Sequence, residues 1–500
     1  MNTDLKDYVL FIIAQVLRIL LSTLAMAALA RFLGPEGLGR WAMITAAATL
    51  MHLFFLNWMQ QDAFVKYGRE EYVRTGRFGI AWTARLPILL SGCLISWFLL
   101  ARSPNEWTRS IFFLSPKEQW FALAYLVSMI VSVEMQSLFQ ITTRMRLLAF
   151  VPVWIAGISA LFYCGLFLRA PLQHRLDSAL LGTVAITSLA WLAGSGFLWK
   201  KDGFELEPWD SALTKRMILY AWPLLPAAFL GYCMNWGNQV ILRRSLSSSD
   251  VGLYQSAFQV HSLIMAFAVP LTTILLPKLI GKQLKDPTAV RRHVTTIAPT
   301  VFGLWLLAMI PFITFLPMVF SLVFGHAYAG GIPVLTALLV STPLCALGQL
   351  YTVLYMVQGR MIKILYISVV IVVINLGLAW ALLPHATPRH LAQAFSVAFA
   401  IGQYLMFRYQ QYLLSEPAVK IHALLAAMFL FSISQSFIYR PELRIVSSLL
   451  GMAFLIFMIR RFNVLDAPTL EWLIPKRPVA VHDISLRLLI GPPGDRGSAC

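Results

Sequence analysis

Apolar residues recur along the chain in runs of about 20, each closed by a short cluster of Arg, Lys, Gly or Pro. Hydrocarbon offers no partner to backbone N–H and C=O groups, so runs of that length satisfy their own hydrogen bonds as helices. The period-2 alternation of a transmembrane barrel is absent. The runs lie near residues 8–30, 41–60, 80–101, 118–141, 147–168, 179–199 and 217–242. The second half adds 251–276, 294–320, 332–356, 363–383, 391–412, 419–437 and 443–461. This pattern predicts an all-α integral membrane protein with about 14 transmembrane helices.

Composition agrees with the pattern. Of the 500 residues, 59% are hydrophobic and 12% charged, about half the charged share of a soluble chain. The first run is longer than a signal-peptide core and carries Arg18 at its centre, so it reads as a retained first span. Cys93, Cys164, Cys233 and Cys345 fall inside runs, where a thiol is a small apolar group, and Cys500 is the last residue. With no CxxC and no Cys/His ligand spacing, neither a disulfide framework, a metal nor a cofactor is expected.

Charge sets the orientation. An even number of spans puts both termini on one side. With that side cytoplasmic, the inner segments hold most of the 40 Lys and Arg. Clusters such as Lys66/Arg69/Arg74/Arg77 and Lys278/Lys282/Lys285/Arg291/Arg292 stand there. The formal net charge of +18 is therefore a topology signal and calls for no nucleic acid. The outer connections are short, the longest running from Arg102 to Lys117. On the inner side, residues 62–79 alternate bulky apolar and charged positions and predict an interfacial helix. The tail after Arg461 ends in a Gly- and Pro-rich stretch of disordered composition.

These loops exclude several functions. No segment outside the membrane is large enough for an enzyme domain, and no G-x-x-x-x-G-K-S/T phosphate loop is present. A sugar transferase needs positioned carboxylates, whereas the 22 acidic residues are scattered. The expectation is a protein that moves something and is not an enzyme.

The chain also repeats itself. Arg31-Phe-Leu-Gly-Pro-Glu-Gly-Leu-Gly-Arg-Trp41 aligns with Arg244-Ser-Leu-Ser-Ser-Ser-Asp-Val-Gly-Leu-Tyr254 through an Arg, a Leu, a Gly and an aromatic residue. Each copy falls between the first and second spans of a half, where glycine permits a tight helix reversal. Two parallel six-span repeats and two extra C-terminal spans account for the pattern. The expected divisions are a six-helix lobe with linker over 1–216, a second over 217–417, two further spans over 418–461 and a cytoplasmic tail over 462–500.

The first of these stretches, together with Asp250-Val-Gly-Leu-Tyr-Gln-Ser-Ala-Phe-Gln259 continuing to Leu276-Pro-Lys-Leu279, resembles bacterial polysaccharide transporters. These are the Wzx-type oligosaccharide flippases of the multidrug/oligosaccharidyl-lipid/polysaccharide exporter superfamily. The resemblance covers spans 1–2 and 7–8 by motif and the rest by span number and loop size. Asn57-Trp-Met-Gln-Gln61 departs from it, standing where members often read as Gly-rich. The resemblance implies a V-shaped pair of six-helix lobes around a cavity that opens alternately to either side. It implies undecaprenyl-diphosphate-linked oligosaccharide as substrate, flipped across the bacterial cytoplasmic (inner) membrane for export of a surface polysaccharide. It further implies H+ or Na+ as coupling ion and a polysaccharide polymerase and export machinery as partners, besides the membrane lipids.

Such a substrate needs a wet path for its anionic headgroup. A charge at the bilayer centre costs about 2.5–3.5 kcal/mol on insertion scales, so intramembrane charges are the candidates. Arg18, with Gln15 and Ser22 at i−3 and i+4, is expected to bind diphosphate or a sugar carboxylate through its planar fork. The alternative is a structural Arg paired with a carboxylate such as Glu134. Arg85, near the inner end of span 3, is expected to snorkel or to meet diphosphate on the inner side. Glu134, deep in span 4, is either an ion-coupling carboxylate or one arm of a structural ion pair. Asn235, Asn238 and Gln239 share a face of span 7, and Gln255, Gln259 and Ser262 a face of span 8. Amides suit sugar hydroxyls, the alternative being hydrogen bonding between helices. His52 and His261 read as packed histidines, and Pro223, Pro226, Pro270 and Pro311 as kinks. The competing classes are a drug or metabolite exporter of the same superfamily, a membrane polymerase or ligase of glycans, and a scaffold in a glycan-export complex.

Overall fold

The computed structural model describes residues 3–102, 110–142, 144–169, 175–202, 207–222, 224–283, 292–358, 360–382, 387–414, 419–438 and 440–465. Nearly all of the expected tail over 462–500 lies outside them. Among the described residues there are helices and no strand.

Helix α1 (Thr3–His52) carries the first run and the start of the second. It breaks at Gly34, whose φ of 70° is open to glycine without a Cβ penalty. Pro35 follows as the first residue of the renewed helix, where its missing N–H costs nothing. The second run continues through π-helical Leu53–Ala63 into α2 (Phe64–Thr75), which stops at Gly76 with φ 73°. The helix predicted over 62–79 is thus a direct extension of span 2.

Helices α3 (Gly79–Trp97), α4 (Pro116–Ile141), α5 (Met145–Arg169) and α6 (Arg175–Asp202) carry runs three to six. Run seven is divided between α7 (Ser211–Ala221) and α8 (Leu224–Ser245), and run eight is α9 (Ser248–Gln283). A π turn over His293–Ile297 leads into α10 (Ala298–Phe324). Run ten is also divided, into α11 (Ile332–Leu339) and α12 (Pro343–Val357), which meet at 42°. The last four runs are α13 (Met361–Ala381), α14 (Pro388–Leu414), α15 (Val419–Phe437) and α16 (Pro441–Arg461). Among the described residues, eight helices are long and apolar enough to cross a membrane on their own. The number is ten if each divided run is one span. Exposed Trp97, Trp120 and Trp380 stand near helix ends predicted to face outward, and Trp209 and Trp222 near inward ones, as interfacial anchors do.

The chain forms two compact units. The first comprises Met1–Ser256, Val323–Gly331 and Leu376–Leu391. Its core gathers Phe64, Phe78, Phe139, Trp191 and Met217. At one end, connections of like parity meet. Arg40 pairs with Glu118 at 2.7 Å, and the Arg175 guanidinium donates to the Phe32 carbonyl at 3.0 Å. Arg31 donates to Val323 O at 2.9 Å and the Tyr328 hydroxyl to Ala30 O at 2.8 Å. Glu118 also completes a capping box, its carboxylate accepting from the Ser115 N–H at 2.8 Å while Ser115 Oγ accepts from the Glu118 N–H.

The aligned motifs touch each other at this end. A Cβ on Gly39 would run into the Ser248 carbonyl, and a Cβ on Gly252 into the Pro35 carbonyl. Pro35 and Gly39 are one helical turn apart, as are Ser248 and Gly252, so the contact is reciprocal. The reversal itself turns on Gly34, whereas Gly39 and Gly252 serve close approach.

At the opposite end of the first unit, Arg69 donates to Ile141 O at 2.8 Å, and the Lys66 ammonium sits 4.1 Å from the Tyr220 ring centroid. The Glu71 carboxylate accepts from the Ile80 and Ala81 N–H groups at 3.0 and 2.7 Å, closing the start of α3. Partial burial pushes the Glu71 carboxyl above its ordinary range, against the pull of those two hydrogen bonds.

The second unit comprises Ala257–Leu322, Ile332–Asn375 and the chain from Ala392 on. The break between α11 and α12 is closed by hydroxyls. Ser341 Oγ donates to Leu338 O at 2.9 Å, Ser396 Oγ to Ala337 O at 2.7 Å, and Thr342 Oγ1 lies 3.1 Å from His261 Nδ1. Thr300 and Lys420 tie the end of α16 down through the carbonyls of Val464 and Asn463, each at 2.9 Å.

Candidate functional site

The two cations predicted inside spans have opposite surroundings. Arg18 is exposed on α1 and has no ion-pair partner among the described residues, with half-buried Ser22 one turn further on. The Gln15 side chain lies outside the described residues. Arg85 on α3 is fully buried, forms an ion pair with Glu134 of α4, and lies 3.7 Å from the Phe64 ring centroid. It therefore does not snorkel to the interface. Trp82, one turn before Arg85, donates its indole N–H to Glu134 Oε1 at 2.8 Å. Glu134 is engaged by Arg85, not by Arg18.

Polar side chains of α4 bond within their own helix. Gln136 donates to Ser132 Oγ at 3.2 Å and Ser128 to Tyr125 O at 2.7 Å. The span-7 amides divide. Asn235 is exposed and donates to Gly231 O at 2.9 Å. Asn238 is buried, donating to the Tyr254 hydroxyl at 3.2 Å and to Leu391 O at 3.3 Å. Gln239 is buried too, donating to Asn235 O at 3.2 Å while its Oε1 has no partner among the described residues. On α9, Gln255 is buried with an unbonded Oε1, and Gln259 is half-buried. His261 is buried between Phe258 and Phe395, and His52 is buried as well.

Sequence reasoning missed Trp82, Phe64, Tyr254, Glu71 and Glu118. Trp82 was legible as the i−3 neighbour of Arg85, and Ser115-x-x-Glu118 as a capping box. Nothing local connects Tyr254 with Asn238. Among the described residues no group of three or more His, Cys, Asp or Glu could hold a metal ion. Arg18 and Ser22 lie one turn apart on α1, whereas Asn235 stands on α8, and no hydrogen bond joins it to either among the described residues. A guanidinium with a neighbouring hydroxyl is a donor pair suited to an anion carrying hydroxyl groups.

The structure is similar to the lipid II flippase MurJ in an inward closed conformation, with a TM-score of 0.64 and 12% identity, over 92% of this chain and 100% of that one. It is similar to an inward-facing multidrug resistance MATE transporter, with a TM-score of 0.58 and 15% identity, over 80% and 98% of the two chains. A variant of the Vibrio cholerae MATE transporter VcmN gives 0.55 and 13%, over 83% and 98%. At these identities the likeness establishes a shared fold. No curated protein matches the chain by sequence. The model of the family described as polysaccharide biosynthesis protein matches residues 5–281, more than half of the chain, which therefore belongs to that family.

Proposed function

We propose that the protein flips an undecaprenyl-diphosphate-linked oligosaccharide across the bacterial cytoplasmic membrane by alternating access, with both termini cytoplasmic. The observation that carries the reading is Arg18, exposed at the middle of the first span with no counter-charge among the described residues. A cation held there unpaired is costly unless it meets an anion that comes and goes. Its guanidinium binds diphosphate through two parallel hydrogen bonds, while Ser22 and Asn235 take sugar hydroxyls. Glu134 serves as the counter-ion of Arg85, and coupling to H+ or Na+ rests on other groups. The substrate crosses chemically unchanged.

The test is Arg18→Ala in the native host. Lipid-linked repeat units should accumulate on the inner leaflet while the variant reaches normal abundance, and Arg18→Lys should recover part of the flux. Normal export by Arg18→Ala at normal abundance would overturn the assignment.

A further inference from the structure

In the second unit an apolar groove of about 350 Å³ lies at the break between α11 and α12. Val340, Pro343 and Leu344 at the α11–α12 break form one wall, Ala400 and Ile401 of α14 another, and Phe429 of α15 the third. Its polar lining comes from Tyr404 and His422, joined at 3.3 Å between Tyr404 Oη and His422 Nε2.

Depth follows from helix rise. Tyr404 lies about 24 Å along α14 from Pro388, and Arg408, one turn on, about 30 Å, the thickness of the hydrocarbon layer. Val340 and Leu344 stand near the middle of run ten, so the groove runs from mid-membrane to Tyr404 and His422, toward the Arg408 end of α14. Arg408 is exposed and has no partner among the described residues. Lys420, two residues before His422, already donates to Asn463 O.

We propose that this groove holds one acyl chain of a resident anionic phospholipid, with its phosphate against Arg408 and the Tyr404–His422 pair. The walls match a hydrocarbon chain, and the cation stands where a headgroup of that leaflet would be. A transported glycan does not fit, because above Tyr404 and His422 the walls offer its hydroxyls nothing to bond. The lipid fills the notch left where run ten is broken, and so braces α12 against α14 and α15.

Native mass spectrometry on the purified full-length protein tests this with phosphatidylglycerol and phosphatidylcholine of identical chains. One phosphatidylglycerol should be retained in preference, and Arg408→Gln should lower that preference about fivefold, the worth of one basic side chain near an anionic surface. Phosphatidylglycerol carrying a diazirine on its acyl chain should label residues 400–404 and 425–429 of the unaltered protein, and Ala426→Trp should abolish the labelling. The wild-type labelling pattern needs no variant to fold. Labelling elsewhere, equal retention of the two lipids, or displacement of phosphatidylglycerol by equimolar undecaprenyl phosphate would each overturn the proposal.

Discussion

Removing one charge from the Arg85–Glu134 pair is the sharpest perturbation the structure offers. Arg85 is fully buried, and its Nε and Nη1 have no hydrogen-bond partner among the described residues. In Glu134→Gln the amide oxygen can still accept from Trp82 and Arg85, but the guanidinium keeps its charge without a counter-charge beside it. Breaking a buried pair by deleting one partner costs about 3–5 kcal/mol, and a cation–π contact offsets about 0.5–2 of that. The net loss should therefore be about 1–4.5 kcal/mol. Arg85→Met should lose less, because a stranded carboxyl can take up a proton whereas a guanidinium cannot give one up. The double variant Arg85→Met/Glu134→Leu leaves no buried charge and should recover most of the loss. Folded fraction against SDS mole fraction, for the purified protein in mixed micelles, gives all four stabilities. A Glu134→Gln variant as stable as wild type, or a double variant worse than either single one, would refute the structural reading. It would return Glu134 to the role of coupling carboxylate.

Other expectations rest on single contacts. Gly39→Ala and Gly252→Ala should each destabilise the protein and raise the accessibility of a cysteine placed at Ser249. Gly377→Ala, with open space around its Cα, should gain about 1 kcal/mol from helix propensity. Glu118→Ala removes both the capping box of α4 and the Arg40 pair, and should cost about 1–2 kcal/mol in the same denaturation assay. For Glu71 the folded-state pKa is raised, so ionisation opposes folding. Wild-type stability should rise as pH falls from 7 through the carboxylate range, and Glu71→Gln should lack that increment. Equal pH slopes in the two proteins would count against it.

Hydropathy was enough to show an all-helical membrane chain, because each run is set by local composition over about 20 residues, whereas eight to ten of the fourteen expected spans meet the length and apolarity of a crossing among the described residues. It did not reveal that run ten is broken, although Ser341-Thr-Pro343 marks the place. Hydroxyl side chains compete for backbone carbonyls, and Pro343 starts a new helix without an N–H to miss. The polar residues were legible as a set, but their partners were not. Arg85 and Glu134 meet across two helices, as do Asn238 and Tyr254, and no local spacing encodes either encounter. The glycines of the aligned motifs read as turn formers from sequence. Only the packing separates Gly34, which turns the chain, from Gly39 and Gly252, which let two backbones touch.

The π-helical stretch Leu53–Ala63 has a consequence for insertions and deletions. Its wider turns hold more residues per revolution than an α-helix, so the face that α2 presents depends on how many residues precede it. Deleting one residue there leaves hydropathy and length nearly unchanged, yet turns everything beyond by about 100°. Arg69 would leave the Ile141 carbonyl and Glu71 the start of α3. A chain shortened at this point would still insert in the membrane, with its inner end facing the wrong neighbours.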